Sequence, residues 1–392
     1  MFLPIQAQPT NEQKRIEAKA AFDEAIILRQ QGTFEAYKSA LEKFEKSAKL
    51  YDEIGDRINA GSSLLGVGLI KNLLGEKESV LQIYLKVLEI FRNNGQQSLE
   101  ARTLNNLGLL YDEIGEKQKA LEFHFQALPL RKIIKDRDGE ARTLNAIGTV
   151  YSDIGERWKA LEYLKKSLEI RKDLGDQREQ AITLNNIGRV YDDLGEWQKA
   201  VEFLKQSLFL RRVVGDREGE AVTLSNLGLA IARTEPQKAI EYYQKAVEIY
   251  TELGFEAQTA LVFNNLGWNY SKLKDYQKAK DFSQKALEIY RKFGNKDGEA
   301  TVLNNIAMVG LETGENSQTA ANLNQALFLA RATQKKELEA VILGNLMLAS
   351  KQNGNSSAAI FYGKQCVNKY QELRQAIKNL DSTIQKNYLN TI

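Results

Sequence analysis

Leu104-Asn105-Asn106-Leu107-Gly108 decides the fold, because the block returns every 40 residues. It reappears as Leu144-Asn145-Ala146-Ile147-Gly148, Leu184-Asn185-Asn186-Ile187-Gly188 and Leu224-Ser225-Asn226-Leu227-Gly228. One residue is then lost, and the block resumes as Phe263-Asn264-Asn265-Leu266-Gly267 and Leu303-Asn304-Asn305-Ile306-Ala307. Fainter copies stand at Leu64-Leu65-Gly66-Val67-Gly68 and Ile342-Leu343-Gly344-Asn345-Leu346. A fixed period of this length marks a solenoid, because each unit is too small to bury its apolar face alone and must stack on its neighbours.

Within a unit the apolar spacing is helical. Leu104, Leu107, Tyr111 and Ile114 step by three, four and three, which places them on one helical face. Gly115, Gly155 and Gly195 follow the first helix, where a left-handed residue closes a helix without a Cβ clash; Gly55, Gly175 and Gly215 do the same after the second. Asp56, Asp176 and Asp216 then stand at N-cap positions, and Asp176 with Glu179 has capping-box spacing.

The second helix carries two small-residue columns that let backbones approach closely. One runs through Ala40, Val80, Ala120, Ala160, Ala200, Ala239, Ala279, Thr319 and Ala359. The other runs through Ser47, Val87, Ala127, Ser167, Ser207, Ala246, Ala286, Ala326 and Cys366. A larger column (Phe44, Tyr84, His124, Leu164, Leu204, Tyr243) lies between them. Nine helix pairs follow, near 12–54, 57–94, 97–134, 137–174, 177–214, 217–253, 256–293, 297–334 and 337–380, the first irregular in its opening helix.

These columns resemble the tetratricopeptide repeat (TPR): Gly108 and Tyr111 in the first helix, Gly115 at the turn, Ala120 and Ala127 in the second. The units are longer than the family's commonest period, and Gly-Asp or Gly-Asn replaces the usual proline after the second helix. Long units with paired Asn are similar to those of kinesin light chain and the Pins-type adaptors. Ends such as Gly215-Asp216-Arg217-Glu218-Gly219-Glu220-Ala221 resemble, more closely still, the TPR arms of cyanobacterial proteins that carry a caspase-like CHAT peptidase domain. The resemblance implies an all-α, right-handed superhelical solenoid of about nine antiparallel helix pairs that binds a peptide or protein segment in a concave groove.

Composition excludes several other classes. The net charge is +3 and no run of five like charges occurs, so no basic stripe for nucleic acid is expected. One Cys and one His exclude a disulfide framework and ordinary zinc spacing, so no metal is expected. The glycines are single helix stops and not a phosphate loop, so no cofactor is expected. His124 and Cys366 are the only candidates for a nucleophilic pair, but both fall in packing columns, six repeats apart. The expected protein is not an enzyme. No stretch of 18 apolar residues exists, so no membrane span is expected. The localisation expected is cytoplasmic, or exported if residues 1–7 are the remnant of a signal peptide.

The Asn columns carry the functional expectation. Asn106, Asn186, Asn226, Asn265, Asn305 and Asn345 repeat in one register, with Asn105, Asn145, Asn185, Asn264 and Asn304 beside them. Asparagine is a poor interior helix residue, so its return needs a reason. Either each amide bridges neighbouring first helices, or one column lines the groove and holds a ligand's backbone with its donor and acceptor. The family resemblance assigns the groove to the Asn106 column.

One turn further along the same face lie Leu109, Thr149, Arg189, Leu229, Trp268 and Met308. Beyond them, the N-terminal half offers Asp112, Glu113, Asp153, Asp192 and Asp193, and the C-terminal half Arg233, Lys272 and Lys351. A change of sign along a groove would orient a ligand. Trp268 is the expected aromatic anchor, and Trp158 and Trp197 are expected to pack between repeats. The domain reading is a flexible 1–11, a solenoid over 12–380, and over 381–392 the start of a further helix, opened by Asp381-Ser382 and cut short. The chain is then the regulatory arm of a larger protein; alternatives are a CHAT-type peptidase with its catalytic domain beyond Ile392, or a homo-oligomer through the open C-terminal repeat.

Overall fold

The computed structural model describes residues 9–378. Eighteen α-helices and no strands are found among the described residues, and the helices form consecutive antiparallel pairs. The pairs are α1 (Asn11–Gln30) with α2 (Phe34–Glu53), α3 (Arg57–Leu73) with α4 (Lys77–Asn93), α5 (Gln97–Glu113) with α6 (Lys117–Ile133), and α7 (Arg137–Asp153) with α8 (Arg157–Asp173). They continue as α9 (Gln177–Asp193) with α10 (Trp197–Val213), α11 (Arg217–Ile231) with α12 (Pro236–Glu252), and α13 (Glu256–Lys272) with α14 (Tyr276–Lys292). The last are α15 (Lys296–Thr313) with α16 (Asn316–Ala332), and α17 (Lys336–Gln352) with α18 (Ser356–Lys378). Two compact units result: Met1–Ile154 with Glu162–Ile170, and Gly155–Leu161 with Arg171–Ile392. The helix expected to open at Asp381-Ser382, like residues 1–8, lies outside the described residues.

The turn residues do what their chemistry requires. Gly115 has φ 86°, its N–H bonds Asp112 O, and the N–H of Glu116 bonds Tyr111 O at 2.9 Å. This paired closure satisfies carbonyls the helix leaves open. Lys135, Lys274 and Gln334 hold the same left-handed conformation without glycine's freedom, at φ 58°, 61° and 57°. Asp56, Asp176 and Asp216 cap α3, α9 and α11, each accepting a backbone N–H three residues on. The capping box at Asp176 is not completed: Glu179 turns to Arg171 Nη2, 3.5 Å away, because that guanidinium is buried and needs carboxylates. The opening helix α1 has a full box instead, made by Thr10 and Gln13.

The repeated glycine of the first helix is a contact position. A Cβ on Gly108 would fall 2.5 Å from the His124 ring, on Gly68 2.4 Å from Tyr84, on Gly188 2.6 Å from Leu204 and on Gly228 2.6 Å from Tyr243. The large column of the second helix therefore nests on bare backbone of the first. Beside it, the serine column bonds as well as packs. Ser47 Oγ donates to Ala18 O at 2.8 Å, Ser167 Oγ to Ala141 O at 2.8 Å and Ser207 Oγ to Ala181 O at 2.7 Å.

The residues of the Gly-Asp-Arg-x-Gly-Glu-Ala end also act between repeats. Asp216 caps α11 and accepts from Arg211 of α10. Gly219 leaves room for that arginine, and the buried Glu220 accepts from Arg212 and Arg217 at 2.7 and 3.0 Å. The segment staples the end of one pair to the start of the next.

Candidate functional site

In the second unit the first helices α9, α11, α13, α15 and α17 present one face on which Arg189, Leu229, Trp268, Met308 and Leu348 recur one turn after the Asn columns. Their neighbours Ile187, Leu227, Leu266 and Leu346 are buried, whereas Arg189 is exposed, Leu229 and Leu348 are 52% and 43% exposed, and Trp268 and Met308 are half-buried. Leu229 and Leu348 thus stay largely outside the core, and Trp268 and Met308 are only partly covered, while most of the adjacent column is buried.

Two clefts lie on this face. The first, of about 460 Å³, is lined by Trp268, Lys272, Asn305, Met308, Glu312 and Asn345, with Val341 on its wall. Lys272 Nζ stands 5.3 Å from the Trp268 ring centroid, within cation–π range. The second, of about 480 Å³, is lined by Asp192, Asp193, Trp197, Leu229, Arg233 and Arg157. Burial pushes the Asp192 carboxyl up, Asp193 adds to this, and Arg233 opposes it.

The paired asparagines form a ladder. Asn226 Nδ2 donates to Asn185 Oδ1 at 2.9 Å, Asn305 Nδ2 to Asn264 Oδ1 at 2.9 Å, and Asn345 Nδ2 to Asn304 Oδ1 at 2.8 Å. Each rung spans 41 residues, so the second Asn of one block reaches the first Asn of the block before. The ladder is interrupted at Asn265, whose counterpart one repeat earlier is the shorter Ser225; the Ser225 hydroxyl is buried without a partner. Asn265, Asn186 and Asn106 are half-buried. In the first unit Asn105 bonds His124 Nδ1 at 3.2 Å instead.

Several expected residues are placed otherwise. Trp158, expected to pack between repeats, is 59% exposed, because the helix start it occupies faces outward; Trp197 is 39% exposed and lines the second cleft between Arg157 of the preceding repeat and Leu229 of the following one. The acidic set of the first unit is partly neutralised, since Lys117 Nζ reaches Asp112 at 2.7 Å and Asp153 at 2.6 Å, and Lys77 reaches Glu113 at 3.5 Å. Those partners come from across the turn and from the preceding repeat, so a column-wise reading misses them. Arg233, Lys272 and Lys351 are exposed. His124 is fully enclosed, with burial holding its pKa down at about 4, and Cys366 donates its thiol to Ala340 O at 3.4 Å. No group of three or more His, Cys, Asp or Glu that could hold a metal is found among the described residues, and no described helix is long and apolar enough to cross a membrane.

Fold and surface together define an α-helical repeat protein with two clefts on the face of its first helices. Tetratricopeptide-repeat models match residues 103–138 and, in three overlapping segments, 140–212, 179–252 and 219–292. Residues 103–138 and 140–292 are thus tetratricopeptide repeats. No curated protein matches it by sequence. Similar solved structures include a Rap protein complexed with competence and sporulation factor (16% identity, 93% of this chain and 99% of that one, TM-score 0.61). The apo quorum sensor NprR of B. thuringiensis is similar at 18% identity over 80% of this chain and 88% of that one, with a TM-score of 0.62. A signal-transduction ATPase with a tetratricopeptide repeat sensor, from Pyrococcus horikoshii, is similar at 16% identity over 93% and 54%, with a TM-score of 0.63. At these identities the likeness is one of fold.

Proposed function

We propose that this chain is a non-enzymatic interaction scaffold that holds a peptide or protein segment against its first-helix face. The observation that carries the reading is the row Leu229, Trp268, Met308 and Leu348, left exposed or only partly covered in consecutive repeats and bordered by two clefts. Contiguous exposed apolar surface with a polar rim marks an interaction site. That the similar Rap structure is a complex with competence and sporulation factor supports the same reading. Trp268 supplies the anchor, Arg233 and Lys272 favour acidic groups beside it, and Asn265 is the member of its column whose amide the ladder leaves for a ligand backbone. Asn226, Asn305 and Asn345 reach a ligand only with the donor and acceptor capacity their rungs do not use, and Asn186 and Arg189 complete the face within the second unit.

The test is selection of binding segments from a displayed peptide library, followed by hydrogen-exchange mapping of the winner. Protection is expected over 226–233, 265–272 and 305–312. Protection confined to second helices would place the site elsewhere. The finer reading, a regulatory arm of a CHAT-type peptidase, rests on the Gly215–Ala221 resemblance; a full-length reading frame without a peptidase region would remove it.

A further inference from the structure

A three-part seam closes the groove between successive second helices. Arg92 of α4 donates to Glu100 of α5 at 2.7 Å and to Gln126 of α6 at 2.8 Å. In the second unit Arg331 donates to Glu339 at 2.8 Å and to Gln365 at 2.9 Å, and Glu299 accepts from Arg291 at 2.8 Å and from Gln325 at 3.1 Å. Each seam ties one second helix, the first helix that follows, and the next second helix.

At the junction of α2, α3 and α4 the same three positions read Asp52, Ala60 and Lys86. The carboxylate that would sit at the centre is missing, and the arginine that would span to it is reversed in charge. A cavity of about 600 Å³ opens there, floored by Ala48, Ala60, Leu64 and Ile90. Its rim carries Lys49, Arg57 and Lys86 against Glu45, Asp52 and Glu89. None of these six forms an ion pair with another described residue, although helix surfaces nearby are laced with such pairs.

We propose that this open seam is a binding site for a short zwitterionic molecule with an apolar body, such as a free-ended apolar tripeptide. The apolar floor selects the body, and the volume falls in the range of small-ligand pockets. The rim selects the charge: three cations and three carboxylates cancel toward a ligand of single sign, so only one bearing both signs gains from both sets. The site belongs to the first unit and is independent of the Trp268 face.

The experiment titrates the full chain with a leucine-alanine tripeptide in three forms, free-ended, N-acetylated and C-amidated, by calorimetry and thermal shift. The free-ended form is expected to bind and each blocked form to bind at least about tenfold more weakly. The double variant Asp52→Arg, Ala60→Glu restores the arginine and the central carboxylate of the seam and is expected to abolish binding while raising the melting temperature. Lys86→Gln, the residue found at 126, 325 and 365, is a surface change that keeps the test open if the double variant does not fold; it should weaken the free-ended peptide several-fold. Equal binding of blocked and free forms, unaltered binding by both variants, or no binding up to about 10 mM overturns the proposal.

Discussion

Asn345 Nδ2 donates to Asn304 Oδ1 at 2.8 Å, and both side chains are more than nine-tenths buried. The bond crosses from α17 to α15, so the amides tie two first helices that are not neighbours in the chain, beside the apolar cluster to which both contribute. Asn345→Ala should leave the Asn304 oxygen buried and unpaired, costing about 1–3 kcal/mol. Asn265→Ala, at the interruption of the ladder, should cost nothing or gain a few tenths of a kcal/mol through helix propensity, at about the scale known for exposed helix positions. Urea denaturation of the two variants separates the roles; equal losses would mean that Asn265 also has a structural partner.

Lys135, Lys274 and Gln334 close their helices at positive φ, where other repeats use glycine. An L residue there is strained by about 1–2 kcal/mol. Lys274→Gly should therefore stabilise the fold by up to about 1 kcal/mol net, since glycine also loosens the unfolded chain. A lowered melting temperature would show that the lysine side chain contributes more than its backbone costs.

His124 gives the first unit an acid-sensitive point. Burial holds its pKa at about 4, so the folded protein refuses a proton that the unfolded chain accepts near its ordinary value. The unfolded state binds more protons between those values, so stability is complete above the unfolded pKa and falls as pH falls toward the folded one. The loss approaches about 2–3 kcal/mol at pH 4.5. His124→Leu, matching Leu204 on Gly188, should remove this component. The check is the difference between wild type and variant at pH 7 and 4.5, which cancels the carboxylates common to both.

Trp268 is half-buried beside Met308 and beneath Lys272. Trp268→Ala should weaken a selected ligand by about 2 kcal/mol with little change in denaturation midpoint. In a Trp158→Phe, Trp197→Phe background its emission should shift on ligand addition. Changing Arg233 and Lys272 to Glu should weaken an acidic ligand mainly at low salt, as screening predicts for exposed charges. A salt-independent loss would show that these cations act by packing.

The period, the helix pairs and their glycine stops were legible in the sequence because each is a local matter. A 3.6-residue apolar spacing and a left-handed closing residue are properties of a few neighbouring positions, and repetition multiplied the signal. Partnership between repeats was not legible, because the partner lies anywhere from 8 to 41 residues away and its choice depends on how backbones stack. Asn226 with Asn185, Arg92 with both Glu100 and Gln126, and Lys117 between Asp112 and Asp153 were decided there. So was the outward placement of Trp158, whose place beside the inter-helix turn suggests packing between repeats. Sequence determined which helices form and which faces must be buried; tertiary stacking decided which polar groups satisfy one another and which remain open to a ligand.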